Sequence, residues 1–342
     1  MTNKEIAHRL AISPTALSLI LNNKPGVSEA TRERVLSLIR SMGYSNLIKK
    51  NTSQSANLCF VVYKKHGEIL DQHPFFLLLM ESIESRALKY GYSIFLTTID
   101  NRKPIRPQIA RLNKMDARGA VVFATEMTDD DTKFFSCLNM PCVALDNDFT
   151  NFDINTVAIN NQMGTFQAIM HLAENGHNHI GYLKCTTRIS SFEEREKGFR
   201  DALAHFGLKM EAEYVFDLHY TEEGSYQDFK KYLKNGRRLP TAFVTDVDTI
   251  ALGVMKALHE HGVNIPNDVS IVGFDDRPTC EMSKPPLSSV NVPKNSFGAE
   301  AIEALMYLID RQEEADFSHR SIKSRIGTQL IKRSSVKDIH RQ

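Results

Sequence analysis

The chain has 342 residues, of which 42% are hydrophobic and 24% are charged. These values are ordinary for a globular protein of two or three domains. No apolar run approaches the roughly 18 residues of a membrane span, and the first residues lack the apolar segment of a secretory signal. Five cysteines, an odd number with no CxxC spacing, argue against a disulfide framework and favour a cytoplasmic location.

The charge is unevenly distributed along the chain. The formal net charge is only +1, yet residues 1–50 contain eight Lys and Arg against three Asp and Glu, and the remainder contains 34 against 38. A basic end on an acidic body indicates either a polyanionic partner for that end or a solvated basic face. Charge alone leaves both interpretations open.

Three short helical patterns occupy the first 43 residues. A capping box at Thr2–Glu5 predicts the start of the first helix. Ser13 followed by Pro14 predicts the start of the second, because serine is a good N-cap and proline at the first helical position loses no hydrogen bond. The residues of this second helix that are expected to face inward are Leu17, Ile20 and Leu21.

The third helix is expected over Ser28–Met42 and is expected to end at Gly43. Its predicted apolar face consists of Val35, Leu38, Ile39 and Met42. Only Ala11 and Ile12 separate the first two helices, and the second has small polar residues on its outer side. This tight connection predicts a helix-turn-helix unit rather than a generic three-helix cap.

The segment from Ile6 to Tyr44 resembles the DNA-binding head of the lactose/galactose repressor family. The matching positions are Ala7, Ile12, Ser13, Ser18, Asn22, Val27, Ser28, Thr31, Arg32, Val35, Gly43 and Tyr44. The resemblance implies that the second helix enters the major groove of double-stranded DNA. It assigns base contacts to Pro14, Thr15, Ala16 and Leu19, and the contact or organisation of phosphates to Ser13, Ser18, Asn22 and Arg32.

Two departures from the family pattern affect DNA recognition. Leu19 stands where many relatives carry an arginine that pairs with guanine, and an apolar side chain there suits a thymine methyl group instead. Residues 45–57 replace the family's hinge, whose leucine wedges into the minor groove, with a polar stretch that has Ser53 near that position. We therefore expect a linker without a hinge helix.

From Leu58 onward, apolar strand patterns alternate with amphipathic helix patterns. The predicted strands are 58–63, 92–99, 119–124, 141–146, 179–184, 214–217, 241–245, 269–274, 288–292 and 325–331. Repeated βα units predict an α/β protein with two doubly wound, Rossmann-like lobes. Ligands of such sheets bind beyond the carboxyl ends of the strands, so the cleft between the lobes is the predicted site.

Residues 58–335 also resemble the sensor half of the same family, which is similar to periplasmic sugar-binding proteins. The most specific matches are Ile265-Pro266 with Asp268–Ser270, and Val272–Asp276. The resemblance implies a linker at 45–57 between a head at 1–44 and an effector-binding domain at 58–342. It divides that domain into a first lobe of about 58–157 plus 292–320 and a second lobe of about 158–288 plus 325–342.

The resemblance also suggests which residues bind the effector. Arg195 matches the family's ligand arginine, whose fork of donors suits paired hydroxyls or a carboxylate. Asp275 is expected to accept from hydroxyls and Tyr220 to form an aromatic wall, while Phe75 and Phe76 open a helix at the cleft, with core packing as the alternative for Phe76. The remaining candidates are Asp71 and His73 in the polar turn, and Asp246 and Asp248, which replace a missing family asparagine at Val247.

The combined prediction is a cytoplasmic, homodimeric transcription regulator, expected to be a repressor, that binds a palindromic operator. Its effector is expected to be a sugar or glycoside rather than a purine. No metal, cofactor, catalytic residue or membrane partner is predicted, because the sequence contains no GxGxxG, GxSxG or phosphate-binding loop and the His pairs lie at i, i+2. The alternative is a solute-binding protein of a transport system, which shares the two lobes but lacks a DNA-binding head.

Overall fold

The computed structural model describes residues 3–21, 24, 26–42, 44, 57–71, 75–311 and 320–340. The chain forms two compact units, Met1–Ala56 and Asn57–Gln342. The predicted capping box at Thr2, the helix end at Gly43 and linker residues 45–56 lie outside the described residues, whereas Asn57 belongs to the first strand of the larger unit rather than to the linker. None of the described helices is both long and apolar enough to cross a membrane.

The N-terminal unit contains α1 (Asn3–Arg9), α2 (Pro14–Leu21) and α3 (Glu29–Ser41). Ser13 caps α2 as predicted, since its Oγ accepts from the Ala16 N–H at 3.0 Å. The buried apolar residues of this unit are Ile6, Ala7, Leu17, Ile20, Leu21, Val35 and Ile39. Leu38 was wrongly predicted to be in this core: it is 44% exposed, because it lies at the edge of the apolar face, about 100° around the helix from the buried Ile39.

The larger unit begins with a sheet whose strands are all parallel, and its strand order is β2-β1-β3-β4-β5-β11. The strands are β1 (Asn57–Lys64), β2 (Ser93–Asp100), β3 (Ala120–Phe123), β4 (Cys142–Leu145), β5 (Thr156–Ile159) and β11 (Lys323–Ile326). The helices of this lobe are α4 (Leu77–Lys89), α5 (Ile105–Leu112), α6 (Lys133–Ser136) and α12 (Lys294–Arg311). The sequence patterns did not predict β5.

A second sheet has the order β7-β6-β8-β9-β10-β12, parallel except for the β10–β12 pair. Its strands are β6 (Ile180–Cys185), β7 (Val215–Leu218), β8 (Ala242–Thr245), β9 (Ser270–Asp275), β10 (Ser288–Asn291) and β12 (Gln329–Ile331). Its helices are α7 (Asn161–Glu174), α8 (Ser190–His205), α9 (Glu222–Lys234), α10 (Asp248–Glu260) and α11 (Thr279–Met282). The two lobes confirm the predicted doubly wound architecture.

The predicted boundaries between the lobes need correction at two crossings of the chain. β5 extends to Ile159 in the first sheet, so that crossing lies after residue 159 and not at 157. The single strand predicted at 325–331 is two strands, because Lys323–Ile326 pairs with β5 whereas Gln329–Ile331 pairs with β10. The chain changes lobes at Gly327 and Thr328, and Arg325 therefore belongs to the first lobe.

Candidate functional site

The outer surface of α2 is polar and small. Ser13, Pro14, Thr15 and Ser18 are exposed, and Ala16 and Leu19 are partly buried. The inward side of the helix consists of Leu17, Ile20 and Leu21, as the sequence predicted. Short side chains on the outer face allow the helix backbone to approach another surface closely. Asn22 lies outside the described residues.

Arg32 holds the end of α2 from inside the unit. It is buried, and its guanidinium donates to the main-chain oxygens of Leu19 (3.4 Å), Ile20 (3.5 Å) and Lys24 (2.7 Å). The last carbonyls of a helix have no partner within the helix, so these bonds stabilise its C-terminus. Of the two roles predicted for Arg32, contact with phosphates or their organisation, these bonds favour the second, because they position α2.

In the larger unit, Arg195 on α8 lies at the centre of the cleft side of the second lobe. It is only 4% exposed. Its Nε donates to Asn161 Oδ1 at 2.9 Å, its Nη2 donates to Asp275 Oδ1 at 3.0 Å, and its Nη1 donates to the main-chain oxygen of Asp246. The guanidinium carbon lies 3.7 Å from the centroid of the Phe274 ring. Arg195 therefore connects the start of α7 with the ends of β8 and β9.

Asp275 lies at the carboxyl end of β9, where the sequence predicted it. Its backbone has a positive φ of 97°, which turns the side chain out of the strand toward Arg195. Its side chain is 15% exposed. Lys294, at the start of α12 in the first lobe, donates from Nζ to the Asp275 main-chain oxygen at 2.8 Å. The two lobes thus meet at this residue.

Asp146 is a site residue that the sequence reasoning missed. It directly follows β4 with φ 72°, and its carboxylate accepts from Thr125 Oγ1 at 2.6 Å. Burial raises the pKa of Asp146 to about 7, and the charges of Asp275 and Glu194 also raise it while that of Arg195 lowers it. The first lobe therefore presents a carboxyl group to charged groups of the second lobe. Its position directly after a buried strand was the available signal.

Two predicted effector residues are internal to the second lobe instead. Asp246 and Asp248 are both 0% exposed. Asp246 accepts from Tyr182 Oη (2.5 Å), the Cys185 N–H (2.7 Å) and Arg188 Nη1 (2.6 Å). Asp248 accepts from Ser289 Oγ at 2.6 Å and from the Arg277 N–H at 2.9 Å. Burial raises the pKa of both carboxyls, to about 7 for Asp248. We correct the prediction for both, because these bonds hold their carboxylates within the lobe.

The candidate effector residues before α4 differ in their surroundings. Asp71 lies on the surface, where it pairs with Lys64 and with Arg102 Nη1 at 3.3 Å, and the hydrogen bond from Lys64 lowers its pKa. The Phe76 ring lies 6.3 Å from that of Phe60 and 6.0 Å from that of Phe123, so core packing is its observed role. Phe75 packs, half-buried, against the same core, and His73 lies outside the described residues.

Tyr220, which the resemblance suggests as an aromatic wall of the effector site, belongs to an apolar core cluster of the second lobe. It is buried and its ring stacks on that of Phe192, with 6.3 Å between the ring centroids. Burial raises the pKa of Tyr220, and the charge of Asp275 raises it further. Phe192 also lies 5.5 Å from the guanidinium carbon of Arg195. The buried Phe192–Tyr220 ring pair therefore lies next to Arg195, which pairs with the carboxyl group of Asp275.

A cavity of about 370 Å³ opens between the lobes next to this cluster. The first lobe contributes the residues after β3 and β4, and the second contributes those at the start of α8. The lining residues are Met127–Asp130, Asn147, Phe149–Asn151, Arg188–Ser190 and Glu193. The lobes also join where Arg325 Nη2 donates to Asp148 Oδ2 (2.8 Å) and Glu194 Oε1 (2.9 Å). The cleft is polar and lies at the carboxyl ends of the strands.

Two α/β lobes around a polar cleft, together with a separate helix-turn-helix unit, define a ligand-responsive DNA-binding protein. Residues 2–46 match the family described as "Bacterial regulatory proteins, lacI family", and residues 169–336 match the "Periplasmic binding protein-like domain". The chain belongs to the lacI family of regulators. This result confirms the resemblance seen in the sequence.

The relatives of the chain support the same conclusion over its full length. It is 29% identical over 348 residues to the PurR transcriptional repressor of Haemophilus influenzae and 27% identical over 346 residues to that of Actinobacillus pleuropneumoniae, with 99% of each chain covered. The fold matches the CelR–cellobiose complex and the lac repressor dimer bound to operator and the anti-inducer ONPF. Both have a TM-score of 0.72 over 98% of this chain and 99% of theirs, at 22% and 23% identity.

The protein is accordingly a DNA-binding transcriptional repressor with an effector-binding domain. Its relatives are repressors, which confirms that the chain is a regulator and not an enzyme.

Proposed function

We propose that α2 reads the major groove of an operator and that a neutral sugar or glycoside, bound between the lobes, controls this contact. The DNA contact is assigned to the exposed residues Ser13, Pro14, Thr15 and Ser18 together with Ala16, Leu19 and Asn22. Leu19 is expected to select a thymine methyl group. Arg32 acts by holding the end of α2.

The charges of the cleft carry the proposal of a sugar. Arg195 is already paired with Asp275, and Arg325 is paired with Glu194, so the charges around the guanidinium are balanced by groups of the protein. Hydroxyl groups can donate to the carboxyl groups and accept from the guanidinium, whereas an anionic ligand would compete with Asp275 for Arg195. Phe192 lies 5.5 Å from the guanidinium carbon of Arg195 and stacks on Tyr220, and both rings are buried, so they support the arginine from within the lobe. Proteins of the same fold hold cellobiose and, in an Enterococcus faecium regulator, ribose.

The proposed dimer surface lies on the first lobe. Leu77, Leu78 and Leu88 of α4 are exposed, and so are Phe95 and Leu96 of β2. Because β2 is an edge strand of its sheet, exposed apolar residues there favour association with a second copy. Two heads on one dimer match a palindromic operator in the cytoplasm. Effector binding then moves the first lobes at this interface and alters the spacing of the heads.

A ligand screen tests the effector class. We expect a sugar or glycoside, and not a purine base, to raise the melting temperature of the full-length protein, since a ligand that binds only the folded state stabilises it. Calorimetric titration should then show an affinity at least about tenfold weaker in Arg195→Lys, because lysine cannot form the planar fork. Arg200→Lys, on the exposed side of the same helix, is the control.

Stabilisation by a purine base alone would overturn the assignment of a sugar as effector but would not affect the proposed regulation of DNA binding.

Duplexes selected by the protein from a random pool provide the DNA test, with affinity measured at several salt concentrations. A steep loss of affinity with salt is expected, because phosphate contacts release counterions. No binding to any duplex at low salt, with or without sugars, would contradict the proposal and favour a solute-binding protein.

A further inference from the structure

Residues 65–71, which follow β1, extend from the first lobe into the second. We name Lys65–Asp71 the strap. Its Ile69 is only 4% exposed and belongs to an apolar cluster whose other buried members, among the described residues, all come from the second lobe. These second-lobe members include Cys185, Ile189, Phe192 and Tyr220. Ile69 is therefore a first-lobe side chain buried in the second lobe.

The next residue toward the N-terminus makes a polar contact in the same direction. The Glu68 carboxylate accepts a hydrogen bond from Thr187 Oγ1, which lies just after β6. Apolar burial at Ile69 and a hydrogen bond at Glu68 thus lie side by side on the second lobe. Separation of the lobes would expose the Ile69 side chain and break the hydrogen bond of Glu68.

A single buried carboxylate fixes the shape of the strap. Glu126, which is 1% exposed, accepts at Oε2 from the N–H groups of Lys65 (3.0 Å), His66 (3.2 Å) and Gly67 (2.8 Å). Its Oε1 accepts from the N–H groups of Ile69 (3.1 Å) and Leu70 (3.0 Å). Hydrogen bonds to an ionised acceptor are stronger than those between neutral groups. The strap is therefore held in one conformation by the first lobe.

We propose that the strap is a built-in latch that biases the two lobes toward the closed arrangement, and that Glu126 is the residue that positions it. Ile69 then supplies part of the closing free energy that would otherwise come from the effector. A conformational bias of this kind sets how much affinity a ligand needs before it changes the population of closed molecules. This inference goes beyond the proposed function, because it concerns the lobes in the absence of effector and DNA.

Distances between the lobes test the latch in the full-length protein. Spin labels on Arg111→Cys in the first lobe and Lys234→Cys in the second report the separation by pulsed electron paramagnetic resonance. The background carries Cys137→Ser and Cys142→Ser, because these two native cysteines are not buried. An excess of unlabelled protein removes distances between subunits. We expect Ile69→Ala to add a population with a longer distance between the labels.

Ile99→Ala is the matched control, because Ile99 is 1% exposed in a cluster that lies within the first lobe. Both variants should lower the melting temperature, but only Ile69→Ala should lengthen the distance. Glu126→Gln should produce the same longer population with Ile69 intact, since an amide nitrogen cannot accept from the strap N–H groups. A wild-type distance distribution in folded Ile69→Ala would overturn the proposal, whatever Glu126→Gln does.

Discussion

Asp146 gives the sharpest test of the cleft geometry, through the pH dependence of stability. Its carboxyl has an ordinary pKa of 3.8 and a folded pKa of about 7, chiefly because of burial. Between these values the folded protein retains a proton that the unfolded chain releases. The contribution of Asp146 to the free energy of unfolding is therefore fully present below pH 3.8, and it is lost as the pH rises toward 7.

The magnitude follows from the size of the pKa shift. Each pH unit in this window corresponds to about 1.4 kcal/mol, so the Asp146 contribution changes by about 4 kcal/mol in total. Asp146→Asn removes the titration and keeps an oxygen that can accept from Thr125 Oγ1. We expect the variant to become more stable relative to the wild type as the pH rises from 4 to 7, and the difference to level off above pH 7.

Urea unfolding at pH values from 4 to 8 measures this difference. Asp248, which also has a folded pKa of about 7, titrates in both proteins and cancels in the comparison. Asp130→Asn, at an exposed carboxyl of the same lobe, should show no comparable trend. A stability difference between wild type and Asp146→Asn that stays constant with pH would refute the buried position of Asp146 against Arg195, Asp275 and Glu194.

Two further predictions concern the DNA-binding unit and the dimer surface. Arg32→Ala should destabilise α2 by about 2 kcal/mol, because it removes charged hydrogen bonds to the helix C-terminus. Hydrogen exchange of the α2 amides should become faster in this variant. Arg34 is exposed, so Arg34→Ala should leave the exchange rates unchanged. Leu96→Lys, at a side chain 51% exposed on the edge strand, should weaken the dimer about tenfold or more in analytical ultracentrifugation. Met210→Lys, on the second lobe, is its control, and equal dimerisation of both variants would place the interface elsewhere.

Local patterns predicted the elements well because they follow from short-range physics. Ser13 caps α2 because a serine that directly precedes a helix can accept a hydrogen bond from a free N–H group of the first turn. Most strands of the two sheets are short buried runs, and their order follows the rule for doubly wound sheets. Asp275 was expected at the cleft because it follows a buried strand, whereas Arg195 was assigned to the effector site by the resemblance to the repressor family and by no local pattern.

Only the tertiary structure decided which polar residues reach the cleft. Asp246 directly follows β8 and Asp275 is the last residue of β9, so their positions in the sequence are similar. Asp246 nevertheless bonds to Tyr182 and Arg188 inside the lobe, whereas the positive φ of Asp275 turns its side chain toward Arg195. The division of residues 325–331 between two sheets depends on pairing partners that are distant in sequence, since Lys323–Ile326 pairs with Thr156–Ile159 and Gln329–Ile331 pairs with residues 289–291. The burial of Ile69 in the opposite lobe likewise depends on residues more than 100 positions away. Contacts of that range leave no periodic signal in the sequence.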